Sequence, residues 1–301
     1  MNQPAYAITP DFQSYFDDSG YMTAPFSVTE HLEENREAVE KLQKLTDILT
    51  NLEQERVDLE ARKLQDALNK ISGFTKKIVD HANGLHDDFA KAVLKAGESG
   101  LITKEGLTNF FIQGWYHTRY TPKFEHLFTK LVEEKVKSHE VNLDDVDDRE
   151  NKFNKMMTHD IDEEEGHELW ALQDVLFLGQ KDSIDVMHDV YPETKAIIWS
   201  QHDRLNRLPF IGFLGYSFYL EFMIATRSMD ILGVLNKALG TKPSDHKFIY
   251  YHYIVDQGHA IDNIELLDRM VNSEEECNEI IDNMNFIHTM YKGLTLRSFG
   301  L

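Results

Sequence analysis

Two short stretches of this 301-residue chain concentrate side chains that hold metal ions. The first is Asp162-Glu163-Glu164-Glu165-Gly166-His167-Glu168-Leu169-Trp170. On a helix, Glu164 and His167 are three residues apart and leave one face about 60° from each other. Such a Glu-x-x-His pair serves dinuclear metal ligation inside helical bundles. The second stretch is His252-Tyr-Ile-Val-Asp256-Gln-Gly-His259. Spacings of four and three put His252, Asp256 and His259 on one narrow helical stripe. They sit among Phe248, Ile249, Tyr250, Tyr251, Tyr253, Ile254 and Val255, a helix otherwise suited to burial. Three ligand-type side chains on an apolar helix are costly unless they bind a cation or one another. A third element is Glu221, an orphan carboxylate in the apolar segment Leu208 to Ala225.

Together Glu164, His167, Glu221, His252, Asp256 and His259 form a donor set of three carboxylates and three imidazoles. It holds no thiolate, which suits non-heme iron, with manganese as the second choice, better than structural zinc. Carboxylates bridge ions, so six such ligands suffice for a dinuclear centre with open positions. The single cysteine, Cys277, excludes an intramolecular disulfide, a Cys-rich zinc site and an iron–sulfur cluster. Of the 14 histidines, His31, His81, His86, His139 and His246 read as ordinary surface or core residues.

The elements that must carry these residues are helical. Apolar positions at Leu32, Val39, Leu42, Leu45, Ile48, Leu49 and Leu52, then Val57, Leu64, Leu68 and Ile71, recur every three or four residues. They predict a long amphipathic helix or helix pair over about 29–71, packed on its own domain. Further helices are expected at 74–96, from 103 through Pro122 to 136, and at 152–178, 182–188, 192–205, 209–238, 244–271 and 273–292. Residues 138–151 are acidic and read as a solvated loop, since an EF-hand's glycine and ligand spacing are missing. Residues 1–26 show no period and read as an irregular N-terminal arm. No alternating pattern or internal repeat survives, so the expectation is an all-α chain with one helical domain over 27–301.

Charge and composition narrow the partners. Lys and Arg number 31 against 52 Asp and Glu, a net charge of −21. A surface that acidic repels nucleic acid and anionic membrane. The segment Leu208–Ala225 is nearly long enough to span a bilayer, but its Pro, two Gly and Glu221 favour a buried core helix. No basic and apolar leader opens the chain, so a cytoplasmic protein is the default expectation.

In the order of its motifs the sequence resembles the heme-oxygenase-like di-iron oxidases, relatives of the thiaminase-II and pyrroloquinoline-quinone-synthase folds. The resemblance rests on EEEGHELW, then GYSFYLEF, then HYIVDQGH about thirty residues later, with FFIQGWYHTRYTP similar to the family's early core helix. It spans roughly residues 75–290 and implies a heme-oxygenase-like helical bundle, here with an added long N-terminal helical segment. It implies that Glu164, His167 and His252 hold one iron, and Glu221, Asp256 and His259 the second. It further implies an O2-dependent oxidoreductase acting on a small molecule, by oxidative C–C cleavage or decarboxylation of a fatty or amino acid, or by N-oxygenation. An external electron donor is a candidate partner, and the long N-terminal helix is a candidate for homodimerisation or for covering the pocket. A substrate carboxylate would call for a nearby cation, with Arg119, Arg204, Arg207 and Arg227 as candidates. The competing reading is a ferritin-like or non-catalytic metal-binding protein, in which Glu164-x-x-His167 pairs with Asp256-x-x-His259 and His252 has no task.

Overall fold

Residues 25–137, 164–206 and 210–301 are described by the structure, a computed structural model, with side chains at all of these except 52–56 and 135–137. The arm before residue 25, the acidic stretch 138–151, residues 152–163 of the helix expected over 152–178, and His139 and Arg207 lie outside the described residues.

Among the described residues there are eleven α-helices. In chain order they are α1 (Val28–Glu34), α2 (Arg36–Leu68), α3 (Gly73–Glu98), α4 (Lys104–Thr118), α5 (Thr121–Lys137) and α6 (Glu168–Leu178). There follow α7 (Val186–Asp189), α8 (Pro192–Leu205), α9 (Leu214–Leu239), α10 (Lys247–Met270) and α11 (Glu274–Ser298). The all-α expectation holds. Local chemistry sets several ends. The Thr103 hydroxyl accepts from the Gly106 amide at 3.0 Å to start α4, and Ser273 does the same for Glu276 at 3.1 Å in α11, ahead of an acidic first turn. Pro122 falls at the start of α5, where a missing amide hydrogen costs nothing, so the chain restarts a helix there rather than continuing α4.

Two boundaries depart from the periodicity. Residues 182–188 were expected to be helical, but Ser183–Ile184 is a strand paired antiparallel with Phe26–Ser27, and only Val186–Asp189 is helical. Phe26 therefore leaves the irregular arm. A pairing partner some 150 residues away in sequence cannot be read from either local pattern. The apolar segment likewise begins as a 3-10 turn, Phe210–Phe213, before α9.

The helices share one apolar core. At its centre α9 packs on α10 and also against α3 and α11. The 33-residue α2, about 50 Å long, lies along α10 and buries Leu42, Leu49 and Leu64. The long N-terminal helix thus packs on its own bundle, as its stripe predicted. No helix among the described residues is long and apolar enough to cross a membrane.

One tertiary contact registers α6 against α10. The buried Asp174 carboxylate, on α6, accepts from the Lys247 amide at 2.9 Å and the Phe248 amide at 2.8 Å, the first two amides of α10. The cap that α10 lacks in its own sequence comes from another helix.

Candidate metal centre

The two sequence stretches meet where α6 begins and α10 passes behind it. Glu164 and His167 are not on one helical face as expected. They flank a turn in which Gly166 has φ +91°, and the His167 amide donates to the Glu164 carbonyl at 3.2 Å. Helix α6 starts only at Glu168. That φ is open to glycine and strained for other residues, so Gly166 folds the Glu-x-x-His segment back and brings both side chains inward.

His252, Asp256 and His259 do share one stripe of α10, all buried. Donor atoms then converge in two groups: Glu164, His167 and His252, and Glu164, Asp256 and His259, with the atoms of each group within 4.8 Å of one another. Glu164 belongs to both. Its Oε1 lies 3.4 Å from His167 Nδ1 and 3.4 Å from His259 Nδ1, and His259 Nδ1 lies 3.3 Å from Asp256 Oδ1. These separations are longer than good hydrogen bonds. They match neighbouring ligands of a shared ion, since two bonds of about 2.1 Å put their donors about 3.0 to 3.4 Å apart for angles between 90° and tetrahedral.

Buried atoms without hydrogen bonds point the same way. Glu164 Oε1, both Asp256 carboxylate oxygens and both His167 ring nitrogens make no hydrogen bond among the described residues. Leaving so many buried donors and acceptors unmet is costly, and a cation removes the cost. The imidazole-carboxylate set, free of thiolate, fits iron or manganese.

Electrostatics divides the two carboxylates. Burial alone pushes the Glu164 carboxyl up, but His167, His252 and His259 around it hold it below the ordinary carboxylate range. Burial raises the Asp256 carboxyl, and the nearby Glu164 adds to the rise. Burial also lowers His252, leaving its imidazole neutral and able to bind a metal.

Supporting contacts orient the ligands. His252 Nδ1 donates to the Phe248 carbonyl at 2.6 Å, which leaves Nε2 for an ion. The His167 ring stacks on Trp170 at 4.4 Å between centroids, and Trp170 stacks on Tyr251 at 5.3 Å. Trp170 Nε1 donates to Thr46 Oγ1 at 3.1 Å, so α2 forms the wall behind the ligands.

Glu221 is the one expected ligand that joins neither group. It is half-buried on α9, where its carboxylate accepts from Ser217 Oγ at 2.8 Å and from Asn263 Nδ2. It nonetheless lines the same pocket as Glu164, His252 and Asp256. The structure therefore brings five of the six residues together, with the sixth lining the same pocket.

Among solved structures, a protein from Shewanella denitrificans OS217, described as a domain of unknown function with a heme oxygenase-like fold, superimposes with a TM-score of 0.58. It is 21% identical, and the match covers 77% of this chain and 94% of that chain. The fold is heme-oxygenase-like. No family model and no curated protein matches the sequence.

Within this heme-oxygenase-like bundle His252 converges with Glu164 and His167, a placement the ferritin-like scheme does not use. The three described arginine candidates make other contacts. Arg204 is buried in ion pairs with Asp282 at 2.6 Å and Glu279 at 3.3 Å. Arg227 pairs with Asp87 at 2.8 Å beside an outer groove. Arg119 lies over the rings of Trp115 and Tyr120. Among the described residues that line the metal pocket there is no Lys or Arg.

His117 was missed. It is buried on α4, lines the metal pocket, and neither ring nitrogen makes a hydrogen bond among the described residues. Burial and the neighbouring His252 push its imidazole down to about 3, so it is neutral. Nothing local marked it, because its neighbours His252 and Tyr291 come from α10 and α11.

Proposed function

We propose that this protein is a non-heme di-iron oxidase that uses O2 to oxidise a small organic substrate. One observation carries the reading: Glu164 is shared by two buried groups of nitrogen and oxygen donors. Glu164, His167 and His252 would hold one ion, and Glu164, Asp256 and His259 the other, with Glu221 lining the same pocket. A pair of ferrous ions there would supply the electrons and the binding position for O2.

The chain's own residues do the rest. The Phe248 carbonyl and the Trp170 ring fix two imidazoles before an ion arrives, which lowers the ordering cost of binding. Leu220, Ile224, Phe248 and Tyr291 line the pocket and exclude water. The neutral His117 offers one nitrogen as donor and one as acceptor to a substrate or a transferred proton. With no Lys or Arg in the described lining, an anionic substrate group would meet the ions rather than a fixed cation.

Metal analysis after reconstitution with ferrous iron is the direct test. Two ions per chain are expected, His259→Ala should hold one fewer, and the wild-type protein should consume O2 in a screen over fatty acids, amino acids and amines. Wild-type iron uptake by His259→Ala would remove that residue from the ligand set. Full uptake with no O2 consumption across the screen would turn the reading to a metal-binding protein without this chemistry.

A further inference from the structure

Trp170 touches both imidazoles of one donor group. Its ring stacks on His167 at 4.4 Å between centroids, with 27° between the planes, and meets His252 edge-on at 5.4 Å. The same ring stacks on Tyr251 at 5.3 Å, with 29° between the planes. A series of ring contacts thus runs from the ligands through Trp170 on α6 to Tyr251 on α10. Phenylalanine would bury comparable apolar surface at both positions with no polar atom to satisfy. The chain instead places an indole and a phenol there, two rings that give up one electron far more readily. Helix α2 meets both polar ends with threonines one turn apart: Trp170 Nε1 donates to Thr46 Oγ1 at 3.1 Å, and the Tyr251 hydroxyl lies 3.2 Å from Thr50 Oγ1.

The two threonines treat the rings differently. The buried Thr46 hydroxyl donates to the Leu42 carbonyl at 2.8 Å, so toward the indole its oxygen only accepts, and the indole proton has no base to go to. An oxidised Trp170 therefore keeps its proton, stays a cation radical and draws an electron from the next ring. The Thr50 hydroxyl donates to the Thr46 carbonyl at 2.8 Å, which makes Tyr251 the donor to Thr50, a residue exposed on α2. A phenol oxidised there loses its proton toward water. Proton loss is blocked at the inner ring and open at the outer one, so electrons run inward, from Tyr251 to Trp170.

We propose that Tyr251 and Trp170 form a route along which electrons enter the metal centre and discharge it when it has reacted with O2 and no substrate is there to be oxidised. Trp170 gives one electron to the oxidised centre through His167 and recovers one from Tyr251. Tyr251 releases its phenolic proton by way of Thr50 to water. The phenoxyl radical left behind takes an electron from a small one-electron reductant of the ascorbate class, and a proton from water. Oxidised indoles and phenols are strong oxidants, so a freshly oxidised centre draws on this route and resting ferric ions do not. The inference rests on the di-metal reading for the oxidant and on the rings alone for the route.

The test has two arms, both on the full-length protein. In the first, without metal, Asn51→Cys carries a ruthenium polypyridyl label beside Thr50, Asn51 being exposed and the native Cys277 buried. A flash in the presence of an irreversible cobalt(III) acceptor makes the label a strong one-electron oxidant. Transient absorption should show a phenoxyl radical. In Tyr251→Phe that signal should be lost and an indole cation radical appear, and the further change Trp170→Phe should remove it. In the second arm, the ferrous-loaded protein is mixed with O2 without substrate and frozen for electron paramagnetic resonance. Wild type should give the phenoxyl radical, Tyr251→Phe an indole radical and Trp170→Phe neither, with oxidised ligand side chains found by mass spectrometry instead; Trp115→Phe should match wild type. Circular dichroism and iron uptake confirm that each variant is folded and loaded. No indole radical in metal-free Tyr251→Phe, or a phenoxyl radical that persists in loaded Trp170→Phe, overturns the proposal. Rings oxidised from the label in a protein that takes up no iron sink the di-metal reading alone; O2 consumption with no ring radical sinks this one alone.

Discussion

Asp174 is the residue whose removal should be felt farthest from its own position. It accepts from two amides, at 2.8 and 2.9 Å, in a setting where water cannot replace it. An ordinary N-cap replaced by alanine costs about 1 kcal/mol, and hydrogen bonds to a charged group contribute about 1.5 kcal/mol or more each. Offset by the desolvation of the carboxylate, Asp174→Ala should cost about 2 to 3 kcal/mol, and Asp174→Asn, which keeps one acceptor, roughly half of that. Urea unfolding followed by far-ultraviolet circular dichroism measures both. A second effect follows because Phe248 links the cap to the ligands: its amide is held by Asp174, and its carbonyl orients His252 at 2.6 Å. Fraying that turn should weaken ferrous iron binding by about 10-fold or more, the usual scale for an outer contact of a metal ligand. An Asp174→Ala protein within about 0.5 kcal/mol of wild type and with unchanged iron affinity would refute both steps.

Other perturbations should behave as follows. Glu221→Leu should keep the fold, lower melting in the metal-free state because Ser217 and Asn263 lose the carboxylate they donate to, and lose O2 consumption; an active variant would make Glu221 structural. Gly166→Ala meets no steric block, its Cβ lying 3.9 Å from the nearest atom at Ala38, but forces φ +91° on a side chain. It should therefore cost about 1 to 2 kcal/mol in urea and lower iron affinity; wild-type values for both would show the turn to be unstrained. His86 Nε2 donates to the Tyr219 carbonyl at 2.9 Å, and burial holds the ring down to about 3 from an ordinary 6.5. Between those values the unfolded chain takes a proton that the fold refuses, so stability falls on acidification by about 1.4 kcal/mol per pH unit, with no such contribution above 6.5. His86→Gln should flatten the urea stability profile between about pH 6 and pH 4 by that amount; an unchanged slope would show that His86 protonates within the fold.

Periodicity made the helices and the α10 triplet legible, because a stripe of ligands on one helix is a local property. Long-range geometry was not. Glu164 and His167 are three apart both on a helix and around a glycine turn, so the right pair was found for the wrong local reason. Glu221 was flagged by its apolar neighbours, yet its placement depends on Ser217 and Asn263, one of them from α10. His117, the cap from Asp174 and the pairing of Ser183–Ile184 with Phe26–Ser27 each join parts of the chain dozens to more than a hundred residues apart. Each partner looks ordinary in its own segment. The arginine candidates show the same limit: a positive charge on a core helix suits a substrate or a structural partner equally, and only the fold shows the acidic side chains beside Arg204 and Arg227.

The stack of His167 on Trp170 also equips the protein with an optical reporter. Of its three tryptophans, Trp199 is 59% exposed and emits as a solvated indole, and Trp115 is buried beside Arg119. Trp170 is fully buried, with its ring 4.4 Å from His167 and 5.4 Å from His252, one imidazole lying flat against it and the other meeting it edge-on. An open-shell ion taken up by those imidazoles would drain the excited state of that indole before it emitted. Acrylamide can silence Trp199 beforehand, leaving the buried fluorescence to follow loading of the site in real time, with no label attached and no substrate known.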